Sequence, residues 1–399
     1  MGPPMTGNLD RHSARWLDAR AARETTILQV FDGAGFERVS PPFVQPAALL
    51  VDLVGEEMRE RTFGVSDRTG QELCLRTDLT VPICRLFLER HPEAQAIAKY
   101  ASSGMVFRQP TGAEASDLEA GELHQVGLEI FNSRDPARAE VEVLDLVMSA
   151  LRRSDLRSVR LRIGDVGVFH DLVDAIDMPP RWRDRLKHHF RRPKAFMSYL
   201  RRLTSRRPAK LTDELRALLD PADAVKSEQA LARHLDGQGI NVVGSRSLAE
   251  VTAQLLEQLA DETEPPLELS AASIIDTYLS IEAPPQEALK RIAELGTRQP
   301  GLDLSHSLTV FEKRLALFAE ARIDTADMVF AADFGRDFEY YTGFVFEVTP
   351  PGAANGRAIA GGGRYDRLLQ AVGAPVRVPA AGAAIYTDRL LAAAWGGGL

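Results

Sequence analysis

An α+β fold is expected, with strand-like segments on either side of a mainly helical stretch. Three observations predict it. Phe344, Phe346 and Val348 alternate with Val345 and Glu347, an aromatic and β-branched run at period two with no proline before Pro350. Residues 96–108 and 122–131 read as two further strands joined by a long polar loop. From about 178 to 299 the chain reads as helical, with breaks at Pro208, Pro221, Gly237, Gly239, Pro265, Pro266, Pro284 and Pro285. Residues 1–177 and 301–399 therefore carry the strand-like segments, and 178–300 the helical stretch between them.

The 399 residues suffice for two or three domains and a sizeable core. A composition of 45% apolar and 26% charged residues is that of a globular chain. The net charge of −8 gives no overall attraction to nucleic acid. No apolar run reaches the roughly 20 residues of a membrane span, because Arg377 and Asp388 interrupt the best C-terminal candidate. Cys74 and Cys84 make neither a disulfide framework nor a CxxC zinc site, so a reduced, cytoplasmic setting is expected.

Taken in order, residues 13–33 form an amphipathic helix capped by Ser13, with Trp16, Leu17, Ile27, Leu28, Val30 and Phe31 apolar and Gly33 and Gly35 at its end. Residues 36–43 run extended toward Pro41 and Pro42. A hairpin from Phe63 to Leu75 turns at Asp67, Arg68, Thr69 and Gly70. Thr77 or Asp78 then caps a helix through Leu86 and Phe87, a role that by itself accounts for Asp78. On strand 122–131, Gln125, Gly127 and Glu129 share one face, and Gly127 leaves room between the two polar side chains. Residues 139–153 bury Val141, Leu144, Val147, Met148 and Leu151 on a helix, 159–164 form a strand with arginines outward, and 166–176 the next helix.

In the insertion, twelve lysines and arginines between Arg181 and Lys210 face the single acid Asp184. This reads first as a helix pair with a solvated basic face, and second as a docking surface for an anionic partner. His188 and His189 have no carboxylate or cysteine spaced to complete a metal site. A helix at 308–321 and the segment 328–334 lead back to RDFEYYTGFVFE (336–347), whose arginine, acids and two phenols suit a small amphoteric ligand. Tyr340 and Tyr341 are expected on opposite strand faces, one ring in the core and one lining a cavity. Gly361, Gly362 and Gly363 read as a turn where backbone approaches a ligand closely. Residues 380–391 give a small-residue strand, a turn, and Arg389 entering a helix.

RDFEYYTGFVFE followed by AGGGRYDRLL (360–369) resembles the histidine-recognition strand and glycine turn of the histidyl-tRNA synthetase family. RTDLT (76–80) and HQVGLE (124–129) occur in that family's order, and Arg108 and Arg389 match arginines of its second and third class II motifs. The resemblance covers roughly residues 11–170 and 305–393. It implies a class II aminoacyl-tRNA synthetase-like core, an antiparallel sheet flanked by helices, with residues 1–177 and 301–399 as its two halves, 178–300 as a mainly helical insertion, and dimerisation through its first motif. It also implies histidine binding by Asp78, Thr80, Gln125, Glu129, Arg336, Tyr340, Tyr341 and Tyr365. In that family the first two hold the α-amino group and the glutamate reaches the imidazole; here aspartate replaces a longer glutamate at position 78.

Two departures redirect the expected function. No lysine or arginine lies between Gln109 and Glu122, and Glu114, Asp117, Glu119 and Glu122 would repel a triphosphate. Arg108 and Arg389 are therefore expected to mark a vestigial ATP site, with no catalytic residue and no metal or other cofactor. Only residues 390–399 follow Arg389, so no C-terminal anticodon-binding domain is expected. This combination resembles the regulatory subunits of ATP phosphoribosyltransferase, a family of synthetase paralogues. The resemblance implies a non-catalytic chain at the first step of L-histidine biosynthesis, with neither tRNA nor membrane as a partner. It would be homodimeric through the core and joined to a short-form catalytic subunit in a hetero-octamer, activating that subunit and carrying feedback inhibition by histidine. The alternative is an ATP-dependent enzyme that activates histidine for a non-tRNA acceptor, for which Arg108, Arg336 and Arg389 would supply phosphate contacts.

Overall fold

The computed structural model describes residues 13–47, 58, 60–110, 121–156, 158–190, 193–205, 211–238, 247–299, 301–335, 340–351 and 357–395, with backbone only at 193–195 and 263. The chain forms two compact units, one of Met1–Ala175 with Thr277–Leu399 and the other of Ile176–Asp276.

The strands of the first unit are β1 (Glu37–Arg38), β2 (Val44–Pro46), β3 (Gly64–Ser66), β4 (Glu72–Leu75), β5 (Ala98–Phe107), β6 (Glu122–Phe131), β7 (Arg160–Asp165), β8 (Glu282–Ala283), β9 (Met328–Ala331), β10 (Phe344–Thr349), β11 (Ala360–Arg364) and β12 (Ala380–Tyr386). Among the described residues nine of them make one sheet in the order β1-β5-β6-β12-β11-β10-β7-β9-β8, and β2-β4-β3 make a second. The centre, from β5 to β7, is antiparallel as expected; β1 joins β5 and β9 joins β7 in parallel.

Local chemistry explains the elements that flank the sheet. Helix Ala14–Gly33 starts where Ser13 Oγ accepts from Trp16 N (3.2 Å), and it buries Trp16, Ile27, Val30 and Phe31. Helix Pro136–Arg153 starts at Asp135, with proline in its first turn, and packs Leu144, Val147 and Leu151 into the core beside β11 and β12. Phe87 of helix Thr80–Arg90 meets Phe131 at 4.6 Å and Tyr100 at 6.5 Å, fixing that helix over β5 and β6. In the β3–β4 hairpin Asp67 Oδ1 accepts from Thr69 N (2.7 Å) and Gln71 N (2.9 Å), the turn its sequence predicts.

The insertion boundary expected at 300 falls instead at Asp276. Helix Pro285–Arg298 buries Ala288, Ile292 and Leu295 and packs on helix Ser305–Glu320 and β9, so it belongs to the core. Its prolines look no different from the breaks within the insertion, and only the partner of its apolar face decides the assignment.

The second unit contains helices Pro180–His189, Pro193–Leu203, Asp213–Leu218, Ala224–Gly237 and Leu248–Thr263. Its basic segment is less free than its sequence suggests. Arg181 pairs with Asp261 and Glu257 at 2.6 Å each, and Arg185 pairs with Glu257 (2.8 Å) and Asp261 (3.0 Å). Those two arginines bind helix Pro180–His189 to helix Leu248–Thr263 instead of forming a solvated face. Among the described residues no helix is long and apolar enough to cross a membrane.

Candidate functional site

The register of the central strands builds the floor. Glu129 lies opposite Tyr100 on β5 and Gly382 on β12, Gly127 opposite Ser102 and Ala384, and Gln125 opposite Gly104 and Tyr386. Gly363 and Gly361 of β11 continue the row beyond Gly382 and Ala384. The result is a strip of small residues from which Gln125, Glu129 and Tyr386 stand up.

Gly382 makes room for the carboxylate. A Cβ there would fall within the van der Waals envelope of Glu129 Oε2 and 2.7 Å from Leu128 O. Gly127 works otherwise than expected: a Cβ would lie 3.3 Å from Ala383 O and 3.7 Å from Leu79 Cδ1, so Leu79 already covers it. The glycines of β11 are strand residues and not a turn at the ligand. A Cβ on Gly362 would meet Gly382 O, and one on Gly363 would meet Phe344 O and come 2.9 Å from Val345 Cγ1. They let neighbouring strands approach one another.

Two buried carboxylates face this strip. Thr80 Oγ1 donates to Glu129 Oε1 (2.7 Å), and the Tyr365 hydroxyl donates to Glu129 Oε2. Val81 N donates to Asp78 Oδ1 (3.0 Å) and the Tyr340 hydroxyl to Oδ2 (3.3 Å), so Asp78 both caps its helix and belongs to the cluster. Glu129 is 1% exposed and Asp78 is 3% exposed. Burial pushes the Glu129 carboxyl up to about 8, against the Tyr365 and Thr80 hydrogen bonds and with the charge of Asp78 adding to it. Burial also raises Asp78, opposed by the Val81 N–H and the Arg108 charge. Gln125 Oε1 is buried and finds no hydrogen-bond donor among the described residues.

Three tyrosines close the cluster. The ring of Tyr340 lies 4.8 Å from that of Tyr341 and 5.7 Å from that of Tyr365, and Tyr341 and Tyr365 are 6.5 Å apart. The expected division of Tyr340 and Tyr341 between opposite faces therefore fails. Both precede β10, which begins at Phe344, so strand alternation does not apply to them, and both rings are buried together. Arg336 lies outside the described residues, as do Glu114, Asp117 and Glu119 of the acidic loop.

Beyond Gln125, Tyr386 stands between two cations. Arg108 Nε donates to Thr77 O (2.9 Å) and Nη1 to the Tyr386 hydroxyl (3.0 Å). The Arg389 guanidinium stacks 4.2 Å from the centre of the Tyr386 ring and donates to Ala358 O (2.8 Å). Burial lowers the Arg389 pKa; Tyr386 opposes this, and the charges of Arg108, Arg357 and Arg61 add to it. Arg61 and Arg357 were not singled out in the sequence, and no local pattern marks them. Arg76, the first residue of RTDLT, is a further buried cation. It is 2% exposed, donates to Met105 O (2.8 Å) and Pro41 O (2.6 Å), stacks 4.2 Å from the Phe43 ring, and burial lowers its pKa to about 10. Its Nη2 fills the space over Gly104. No group of three or more His, Cys, Asp or Glu suited to a metal occurs among the described residues.

Comparison with known proteins follows the same lines. The family model for histidyl-tRNA synthetase matches residues 10–271 and 248–390. The ATP phosphoribosyltransferase regulatory subunit of Rhizobium rhizogenes is 34% identical over 371 residues, spanning 91% of this chain and 95% of that protein. That of Brucella anthropi is 34% identical over 358 residues, spanning 89% and 92%. Among solved structures, an ATP phosphoribosyltransferase regulatory subunit/histidyl-tRNA synthetase from Bacillus halodurans superposes with a TM-score of 0.68 at 18% identity, covering 98% of this chain and 84% of that one. A histidyl-tRNA synthetase from Nostoc gives 0.60 at 16% identity, covering 94% and 71%. At such identities the superpositions speak to the fold, which is that of the synthetases.

Proposed function

The chain belongs to the ATP phosphoribosyltransferase regulatory subunits, within the histidyl-tRNA synthetase family, and from that premise we propose that its buried carboxylate–tyrosine cluster is the binding site for L-histidine. As a regulatory subunit in histidine biosynthesis, the chain acts with a catalytic ATP phosphoribosyltransferase subunit and is not itself the catalyst.

The observation that carries the ligand assignment is the pairing of Asp78 and Glu129. Each is buried, Glu129 accepts from the Thr80 and Tyr365 hydroxyls, Asp78 accepts from the Tyr340 hydroxyl and the Val81 N–H, and the rings of Tyr340, Tyr341 and Tyr365 pack beside them. Such a site suits a small ligand with an ammonium group and a planar N–H ring, because each end meets a buried carboxyl group whose side-chain donors are uncharged hydroxyls. Asp78 and Thr80 are assigned to the ammonium, Glu129, Tyr365 and Gln125 to the imidazole, and Arg336 to the ligand carboxylate.

Feedback inhibition through this site requires histidine to bind the inhibited assembly more tightly than the active one. We place the chain in the cytoplasm, as a homodimer through its core and within a hetero-octamer containing the short catalytic subunit. The Arg108–Tyr386–Arg389 stack is read as the remnant of an ATP site, still suited to an anion.

Calorimetric titration of the chain with L-histidine tests the assignment. Saturable one-site binding that Glu129→Gln weakens at least tenfold supports it, while unchanged affinity in that variant overturns it. Histidine-dependent ATP–pyrophosphate exchange above background would overturn the reading of Arg108 and Arg389 as a remnant.

A further inference from the structure

The pocket tyrosines hang on a short segment that a buried circuit of charges grips from two sides. Thr342 N donates to Arg364 O (2.8 Å), and Asp366 N donates to Thr342 Oγ1 (3.0 Å), so the two residues flanking Tyr365 hold the residue that follows Tyr341. The Asp366 carboxylate is itself fixed. Its oxygens accept from Arg364 Nε (2.8 and 2.9 Å), Arg377 Nη2 (2.8 Å) and Ala380 N (3.3 Å), and the residue is 1% exposed.

From Arg364 the circuit runs to Glu140 (3.6 Å), from Glu140 to Arg314 (2.8 Å), and from Arg314 to Asp165 (2.9 Å). Asp165 Oδ1 accepts from Gly167 N (2.8 Å) at the start of helix Val166–Ala175, and Val166 N of the same turn donates to Gly343 O (3.0 Å). Three carboxylates and three guanidiniums thus neutralise one another around Thr342 and Gly343. A charge-balanced network of this kind resists displacement, because moving one member leaves a buried charge uncompensated; its loosest link is Glu140 Oε1, which has Arg364 at 3.6 Å and no hydrogen bond among the described residues.

We propose that Thr342 and Asp366 are positioning residues, fixing where Tyr340, Tyr341 and Tyr365 stand and so setting the affinity for the ligand without touching it. This rests on the reading of the pocket as a histidine site. Holding three aromatic groups in place before the ligand arrives spares their ordering on binding, which is the physical source of the affinity. The threonine hydroxyl matters because it is the acceptor that ties one tyrosine-bearing segment to the other.

Titration of L-histidine into the parent chain, Thr342→Val and Thr342→Ser separates the possibilities. Valine keeps the shape and loses the acceptor; serine keeps the acceptor. We expect roughly tenfold weaker binding in Thr342→Val, the scale of one lost buried hydrogen bond, and affinity within about twofold of the parent in Thr342→Ser. Equal affinity in parent and Thr342→Val overturns the positioning role and leaves the pocket assignment standing. Equally weak binding in both variants also overturns it, since the hydroxyl would then not be the cause. No binding by the folded parent overturns the pocket assignment and this inference with it. Should Thr342→Val not fold, Arg377→Gln removes one donor from Asp366 at the half-exposed end of the circuit. Weaker histidine binding in that variant supports the role, and parental affinity overturns it.

Discussion

Glu129 on β6 and Gly382 on β12 are register partners, and the carboxylate of the first occupies the space a side chain on the second would need. Thr80 and Tyr365 hold that carboxylate from the other side, so it has nowhere to retreat. Gly382→Ala should therefore abolish measurable L-histidine binding and lower stability by about 1–3 kcal/mol, the scale of overpacking a core. Calorimetry and urea denaturation of the same preparation check both parts.

The raised Glu129 pKa makes a prediction for stability against pH. Because the folded protein holds this proton up to about pH 8, and an ordinary glutamate loses it near 4.5, the folded state binds more protons between those values. Stability from this group is full below about pH 4.5 and is lost as pH rises toward 8, by at most about 1.4 kcal/mol per pH unit. Urea midpoints measured from pH 5 to 8.5 should fall more steeply in the parent than in Glu129→Gln. Parallel curves would contradict the assignment of the proton to Glu129.

The cation stack around Tyr386 should bind a polyanion. Tripolyphosphate is expected to raise the thermal midpoint of the chain at low salt, and added sodium chloride to shrink that shift. Arg389→Ala should remove the shift, and Arg389→Lys should not restore it, because an ammonium does not reproduce the guanidinium stack on Tyr386.

Breaking the buried circuit on one side should be costly. Arg314→Met leaves Glu140 and Asp165 without their shared partner in a site where Arg314 is 2% exposed, a loss of about 3–5 kcal/mol. Adding Glu140→Gln to that variant should recover part of the loss. A double variant no more stable than the single would show that the charge of Glu140 is not the source of the cost.

What could be read from the amino acids followed periodicity. The capped helix Ala14–Gly33, the long strands β5 and β6 and the hairpin at Asp67 carry their patterns locally, and they form as their residues suggest. Tyr340 and Tyr341 escape period two because they precede the start of β10, where neighbouring side chains need not alternate. The β11 glycines suggest a turn in sequence because glycine usually marks turns, while in the fold they let three strands crowd together. Arg61, Arg108, Arg357 and Arg389 meet only through the fold, so no window of sequence contains them. Gly382 looked like one small residue among alanines; its meaning depends on facing Glu129, a fact of register alone.

The strand order carries a consequence for how the chain is made. β12 pairs with β6 on one side and β11 on the other, yet the whole helical unit is synthesised between Phe131 and Ala380. Until β12 arrives, the side of β6 that it covers, from Gln125 to Phe131, stays open, the kind of unpaired edge that recruits other chains. Closing it requires contacts distant in sequence, which form slowly. Yield from the cell should therefore depend on how well chaperones shield β6 during that interval, and a nascent chain released before residue 380 would leave Gln125 and Glu129 on an adhesive edge.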